Sequence, residues 1–356
     1  MNPTGIEYGQ VAWNPVTGCS KVSEACINCW AERMSKRLAG RCGYSKDNPF
    51  KVTMHPERLE EPLKWRKPRT VLVSFMGDLF HEDVDVKTLA TVFGIMAACP
   101  HHTFMVLTKR PADMARFFEE LTTRANGKSM MEVFLGDDTN WRCRHILRAA
   151  ALRATGNGRV ATQDLEGWPI PNIWLGVTAE NQARADERIP ILLQIPAAKR
   201  FVSIEPMLGA VDLTKISLGP NGHGLTFYHN SLNGWSTGYN AETHKQKVSR
   251  NDQFSRLDWV ICGGETGPGA RPMHPDWVRS LSDQCIAAVV PFWFKQWGEY
   301  CAPSQMPPET YRVWDYHHGS ENCWKDDDPS PWKVGKKKAG RLLDDQEWQQ
   351  MPEVNS

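Results

Sequence analysis

Residues 70–121 read TVLVSFMGDLFHEDVDVKTLATVFGIMAACPHHTFMVLTKRPADMARFFEEL. Thr70–Phe75 is a short β-branched and aromatic run bounded by Pro68 and Gly77, which predicts a strand. Asp85–Ala98 has the spacing of an amphipathic helix and stops at Pro100. Thr103–Leu107 is a second strand. Pro111–Leu121 is a second helix, with proline at its first position. Two successive strand–helix steps call for parallel strands joined by right-handed crossovers.

The same rhythm extends in both directions. Val11–Trp13 is a weak first strand, and Trp30–Leu38 is helical. Further on come a strand at Ile173–Val177, a helix at Asn181–Leu193 and a strand at Arg200–Ile204. A strand at Trp259–Cys262, a helix at Pro275–Ala288 and a short strand at Phe292–Phe294 complete the series. About seven such steps suit an α/β fold of full or partial (β/α) TIM-type barrel better than an open sheet, with the active site at the C-terminal strand ends. The expected domain covers 1–299. Loop insertions fall at about 122–168, with a helix-like run at Trp141–Arg153, and at about 214–256, polar and without clear period. Residues 300–356 form an irregular C-terminal extension.

The chain has 356 residues, 41 % of them hydrophobic, enough for a sizeable core. No apolar run approaches a membrane span, and Met1–Gln10 lacks the pattern of a signal peptide. The expectation is a protein of the cytoplasm with no membrane partner. A formal net charge of +1 gives no global field for polyanions, so nucleic-acid contact must come from local patches. Fifteen tryptophans serve either as core residues or, near strand ends, as rings that stack on a base or an adenine.

Of the ten cysteines, Cys19, Cys26 and Cys29 are clustered as C-x6-C-x2-C on the loop after the first strand. Thiolates are soft ligands that select iron–sulfur clusters, zinc or copper(I). A structural zinc site closes with four ligands, and only His55 or Cys42 is at hand to complete one through space. Three thiolates on a four-iron cluster leave one iron open. Inert buried thiols are the remaining alternative.

The stretch Trp13-Asn14-Pro15-Val16-Thr17-Gly18-Cys19 through Asn28-Cys29-Trp30-Ala31-Glu32-Arg33 resembles the N-terminal signature of a phage and bacterial three-cysteine family of unknown function, the phage gene-product-37/68 family. His55–Leu59, Met76–His81, Leu107–Pro111, Trp174–Val177, Ser203–Pro206, Gly263–Gly267 and Phe294–Gly298 carry the resemblance further. So do Val334–Lys337 and Gly340–Leu343 in the tail. The family in turn resembles radical S-adenosylmethionine (SAM) enzymes. It departs from their usual C-x3-C-x2-C loop, which has an aromatic before the last cysteine: here Asn28 precedes Cys29 and Trp30 follows it. The Gly-Gly-Glu expected after the second strand is Met76-Gly77-Asp78, while a Gly-Gly-Glu stands at 263–265.

The resemblance implies a radical-SAM-type enzyme in which Cys19, Cys26 and Cys29 ligate a 4Fe–4S cluster. The cluster and SAM supply the radical chemistry while the protein orients them. Asp78 and Arg110 are expected to meet the amino and carboxylate groups of SAM. The Gly263, Gly264 and Glu265 turn and Trp30 are expected against its adenosine. Lys109, Glu205 and Lys295, which end other strands, join Asp78 as catalytic candidates. The substrate class implied is a nucleotide or a modified phage DNA base, with a phage or bacterial partner protein. Two other functions are open. One is a non-catalytic nucleic-acid-binding protein with a structural zinc or Fe–S site, using Lys336–Lys338 and Arg341. The other is a barrel hydrolase using Asp78, Glu205 and Glu265 with a hydrolytic metal.

Overall fold

The structure, a computed structural model, describes residues 4–125, 168–220, 225–240, 246–250, 254–306 and 331–353. The helix-like run at Trp141–Arg153, with Cys143, Cys323 and much of the tail, lies outside the described residues. The chain forms two compact units. One is drawn from Met1–Val22, Ala31–Val177 and Ile195–Arg200, the other from Ser23–Trp30, Thr178–Gln194 and Phe201–Ser356.

The first unit carries β1 (Val11–Trp13), β2 (Val16–Thr17), α1 (Trp30–Arg37), β3 (Thr53–Met54), β4 (Thr70–Val73), α2 (Val86–Ala97), β5 (Thr103–Thr108), α3 (Pro111–Ala125) and β6 (Ile173–Thr178). β1, β4, β5 and β6 lie side by side and parallel, with Val11 opposite Val71, Thr70 opposite Thr103 and Phe104 opposite Ile173. Their apolar runs are continuous rather than alternating, as in parallel strands buried on both faces. Trp13 shows how a large polar-tipped ring fits there. It packs edge-on against Phe104 at 5.9 Å, and its indole N–H donates to the Arg58 carbonyl at 2.8 Å.

β4, α2 and α3 differ from expectation by more than one residue or in character. β4 stops at Val73, two residues early, because Ser74 turns into the left-handed region at φ 54°. α2 is capped by Asp85, which accepts from the Thr88 amide at 2.7 Å, as its sequence implies. It is not amphipathic, however: Thr88–Leu89 and Thr91–Ala97 are all buried. Phe93 accounts for the extra burial, standing 5.2–6.2 Å from the rings of Phe80, Phe117, Phe118 and Trp168. α3 begins at Pro111 and continues to Ala125, beyond the expected Leu121.

The second unit carries α4 (Gln182–Gln194), before which Asn181 accepts from the Arg184 amide at 3.0 Å. β7 (Lys199–Ile204) follows. Next come β8 (Ile216–Pro220), β9 (Leu225–Asn230), β10 (Trp235–Asn240) and β11 (Gln246–Arg250), an antiparallel sheet in the order β11-β10-β9-β8. The polar insertion at 214–256 is therefore built of strands where described. Its period was hidden because its outward positions mix aromatic, hydroxyl and amide side chains. β12 (Trp259–Cys262), α5 (Pro275–Ala287) and β13 (Phe292–Phe294) complete a parallel set with β7, Phe201 facing Trp259 and Val260 facing Phe292.

The tail is more ordered than its composition suggested. β14 (Tyr300–Cys301) pairs with β15 (Trp332–Lys333), and after α6 (Lys336–Ala339) β16 (Leu342–Leu343) pairs with β17 (Gln346–Glu347). Indole N–H groups bolt it down: Trp297 donates to the Leu342 carbonyl at 2.7 Å, and Trp259 to that of Gln350 at 2.8 Å. The fold is thus mixed α/β with parallel strands in both units. No helix among the described residues is long and apolar enough to cross a membrane.

Candidate functional site

In the first unit, the chain leaving β1 and β2 passes over the ends of β4 and β5. Gly18 and Gly77 form an isolated parallel bridge, and the Gly18 amide donates to the Met76 carbonyl at 3.0 Å. Neither glycine has room for a side chain. A Cβ on Gly77 would lie 2.5 Å from the Gly18 carbonyl oxygen, and one on Gly18, where φ is +85°, would lie 2.2 Å from that of Lys51. This close crossing brings Cys19 and Ser20 beside the strand ends.

Asp78 is buried there, and its carboxylate is occupied by its own chain. Oδ1 accepts from Thr108 Oγ1 at 2.8 Å and the Phe80 amide at 3.0 Å, and Oδ2 accepts from the Lys109 amide at 3.1 Å. Asp78 therefore ties the end of β4 to the end of β5. Arg110 Nη2 donates to Ser20 Oγ at 2.6 Å. His81 Nδ1 accepts from the Asp83 amide at 3.1 Å, which assigns its proton to Nε2, 2.8 Å from the same Ser20 hydroxyl. The loop after Cys19 is thus held by two donors onto one oxygen. Lys109 is half-buried.

In the second unit, Cys26 closes a short 3-10 turn, Glu24–Cys26, and Cys29 follows it. Both sides of the turn are anchored. Glu24 Oε2 accepts from Arg184 Nε and Nη2, each at 3.2 Å, and Oε1 accepts from Asn181 Nδ2. Asn28 Nδ2 donates to the Gly269 carbonyl at 2.6 Å and to Glu265 Oε2 at 3.1 Å. Glu265 also receives a forked pair from Arg271, Nε to Oε2 at 2.8 Å and Nη2 to Oε1 at 2.7 Å, and the Arg271 amide at 2.8 Å. Burial would raise the Glu265 carboxyl, but these Arg271 and Asn28 bonds outweigh it and hold it below the usual value.

Glu205 follows β7 and Lys295 follows β13. Their ion pair, Nζ to Oε1, measures 2.8 Å, and both side chains are partly exposed. Gly263 lets the Glu205 carboxylate lie across it, since a Cβ there would be 2.8 Å from Oε1. Gly264 is tighter: its Cβ would sit 1.9 Å from the Trp297 carbonyl oxygen. Each unit thus carries its candidate residues at the C-terminal ends of parallel strands, the usual place for chemistry in such folds.

Cys19, Cys26 and Cys29 are half-buried and none is in a disulfide. Cys99, Cys285 and Cys301 differ: burial pushes each of their thiols up to about 12, and it raises that of Cys262 well above its ordinary value. Those four are inert core residues. Among the described residues, no three His, Cys, Asp or Glu side chains are grouped as a metal-ion site. The fit of a metal therefore rests on donor chemistry, and three accessible thiols within eleven residues suit a thiophilic centre such as an iron–sulfur cluster. His55 is already engaged, its Nε2 lying 2.8 Å from Thr17 Oγ1. Cys42 is exposed. Trp30, at the head of α1, is 48 % exposed and so accessible to a ligand. In the tail, Lys336–Lys338 are exposed, while Arg341 pairs with Glu347 at 3.2 Å.

Several residues that shape these sites carried no sequence signal of their own. Asn28 read only as a departure from an aromatic position. Ser20, His81 and Arg184 are polar residues with partners far along the chain, and Arg271 reaches Glu265 across a turn of six residues. Glu180 and Arg188 form a fully buried ion pair at 3.0 Å just past β6, and periodicity does not announce such a pair.

Searches of curated proteins and of solved structures find no match. The family model described as "Protein of unknown function (DUF5131)" matches residues 3–352, nearly the whole chain. The chain therefore belongs to the DUF5131 family.

Proposed function

We propose that this protein is a radical-SAM-type enzyme whose Cys19, Cys26 and Cys29 hold a 4Fe–4S cluster. The observation that carries the reading is the Cys26–Cys29 turn, braced through Glu24 and Asn28 while its thiols stay half-exposed. Among the described cysteines outside this cluster, Cys99, Cys262, Cys285 and Cys301 are buried in the core, and Cys42 is exposed. When bound, the cluster and SAM together supply one-electron chemistry that removes a hydrogen atom from a substrate.

The protein's own residues bind, orient and shield. Asp78 and Glu265 are positioning residues, since internal donors fill their carboxylates. Arg110 offers a guanidinium for the carboxylate of SAM. The Gly263-Gly264 turn admits close approach of adenosine, and Trp30 offers it a ring. Lys109 is available to an anionic substrate group. Lys295 and Glu205 share a proton-bearing contact at Nζ, suited to moving a proton to or from substrate. In this reading the parallel strands belong to a full or partial (β/α) barrel with its chemistry at their C-terminal ends. The substrate class is a nucleotide or a modified DNA base, in the cytoplasm of a bacterium or a phage-infected cell, with or without a phage or bacterial partner.

The test is SAM cleavage by the anaerobically reconstituted protein with a strong reductant. Formation of 5′-deoxyadenosine, lost in Cys26→Ala, supports the reading. An iron-loaded protein that leaves SAM intact and binds none contradicts it.

A further inference from the structure

The antiparallel sheet β8–β11 has one buried face and one open face. On the buried face His229 and Ser236 are paired across strands, Nδ1 to Oγ at 2.9 Å, and Ile216 lies opposite His229. Side chains alternate along a strand, so the neighbours of these residues point the other way. Those neighbours are Tyr228 on β9, Trp235, Thr237 and Tyr239 on β10, and Val248 on β11. Trp235 is 47 % exposed and Val248 is 60 % exposed, so this face is not a hidden core.

The three rings form a regular series. Tyr228 stands directly opposite Thr237, midway between Trp235 and Tyr239. Diagonal neighbours across two strands are roughly 7–8 Å apart at the backbone. That is about twice the ~3.4 Å rise per nucleotide of one duplex strand, a spacing for bases that have been unstacked from one another. Lys215 places its ammonium 4.9 Å from the Tyr228 ring centre, setting a cation beside the platform. The segment 214–256 carries five Lys and Arg against two Asp and Glu, in a chain whose formal net charge is only +1. None of the residues placed on the open face is acidic.

We propose that this face binds single-stranded nucleic acid, with bases stacked on Trp235, Tyr228 and Tyr239 and a phosphate drawn by Lys215. Rings on an open sheet face with positive charge beside them are what an unpaired strand requires. A protein partner is disfavoured, because polar Thr237 interrupts the apolar surface and the charge excess has one sign. The inference stands apart from the cysteine site and does not need a cluster.

The test is fluorescence anisotropy with the full-length protein and labelled single-stranded DNA, single-stranded RNA and duplex DNA of one mixed sequence. Tighter binding of a single strand than of duplex is expected, whichever sugar is preferred. Trp235→Ala should weaken it roughly five- to a hundredfold, the loss for one stacked base, and Trp235→Phe should retain most of it. Lys215→Glu, a change at an exposed position, should weaken binding and lower its salt dependence. Cys26→Ala should bind as the parent does, which separates this inference from the enzyme reading. No single-strand binding, equal binding of duplex, or undiminished binding by a folded Trp235→Ala protein would overturn the proposal.

Discussion

Asn28 Nδ2 donates to Glu265 Oε2 at 3.1 Å, joining the middle of the cysteine turn to the Gly-Gly-Glu turn 237 positions along the chain. The same oxygen also accepts from the amide and Nε of Arg271, so Asn28 is its third donor. The position that departs from the usual radical-SAM loop is thus occupied by a residue with a structural task. A phenyl ring has no donor to make this bond.

Removing that contact should loosen the turn without unfolding the unit. Asn28→Ala is expected to cost about 1 kcal/mol, because Arg271 still satisfies Glu265. Asn28→Asp is expected to cost more, since it sets a second carboxylate against the first. Urea denaturation measures both, and iron retention after reconstitution should fall in the same order.

Asp78 gives a larger effect by a different cause. Asp78→Ala strips the acceptor from Thr108 Oγ1 and from the Phe80 and Lys109 amides at once. Leaving such donors unsatisfied costs about 1–3 kcal/mol each, so a loss of at least about 3 kcal/mol is expected. A denaturation midpoint close to the parent's would show that Asp78 is not the brace described here.

The two adjacent glycines should respond unequally to alanine. At Gly264 the new Cβ meets the Trp297 backbone at 1.9 Å, and backbone cannot step aside, so a loss of about 3 kcal/mol or more is expected. At Gly263 it meets only the end of the Glu205 side chain. Gly263→Ala should therefore fold and show its effect in the Lys295–Glu205 pair. Equal destabilisation of the two variants would contradict this geometry.

Glu265 and His102 are among the groups that make stability depend on acid. The Glu265 carboxyl is held below its ordinary value near 4.5, so its contribution is full above that value and is lost as the pH falls through the folded value. Burial pushes His102, with its neighbour His101 adding to the effect, from the ordinary 6.5 down to about 4. The unfolded chain then binds the extra proton between those values, so stability falls as the pH drops from about 6.5 to about 4. Glu265→Gln should flatten the first slope and His102→Gln the second, in denaturation midpoints followed across pH.

Much of the parallel scaffold was legible because its signals are local. Thr103–Leu107 and Trp259–Cys262 are short apolar runs between breakers, and Asp85 and Pro111 mark helix starts. The four-stranded antiparallel sheet was not legible, because only one of its faces is buried and the other mixes rings with hydroxyls. The burial of α2 was missed because it depends on Phe80, Phe117 and Trp168 arriving from elsewhere. At the sites, the identities of Asp78, Glu205, Glu265 and Lys295 at strand ends could be read from the pattern. Their partners could not: Asn28 and Thr108 are set by contacts between distant segments, and Arg271, six residues from Glu265, lies on a turn without periodicity.

The central claim is tested most directly by metal content and the reduced EPR spectrum of the anaerobically reconstituted protein, with and without SAM. The account predicts about four irons and four sulfides per chain, both lost in Cys26→Ala, and a spectrum that SAM perturbs. One zinc with no sulfide, or a full cluster that survives Cys26→Ala, would contradict it.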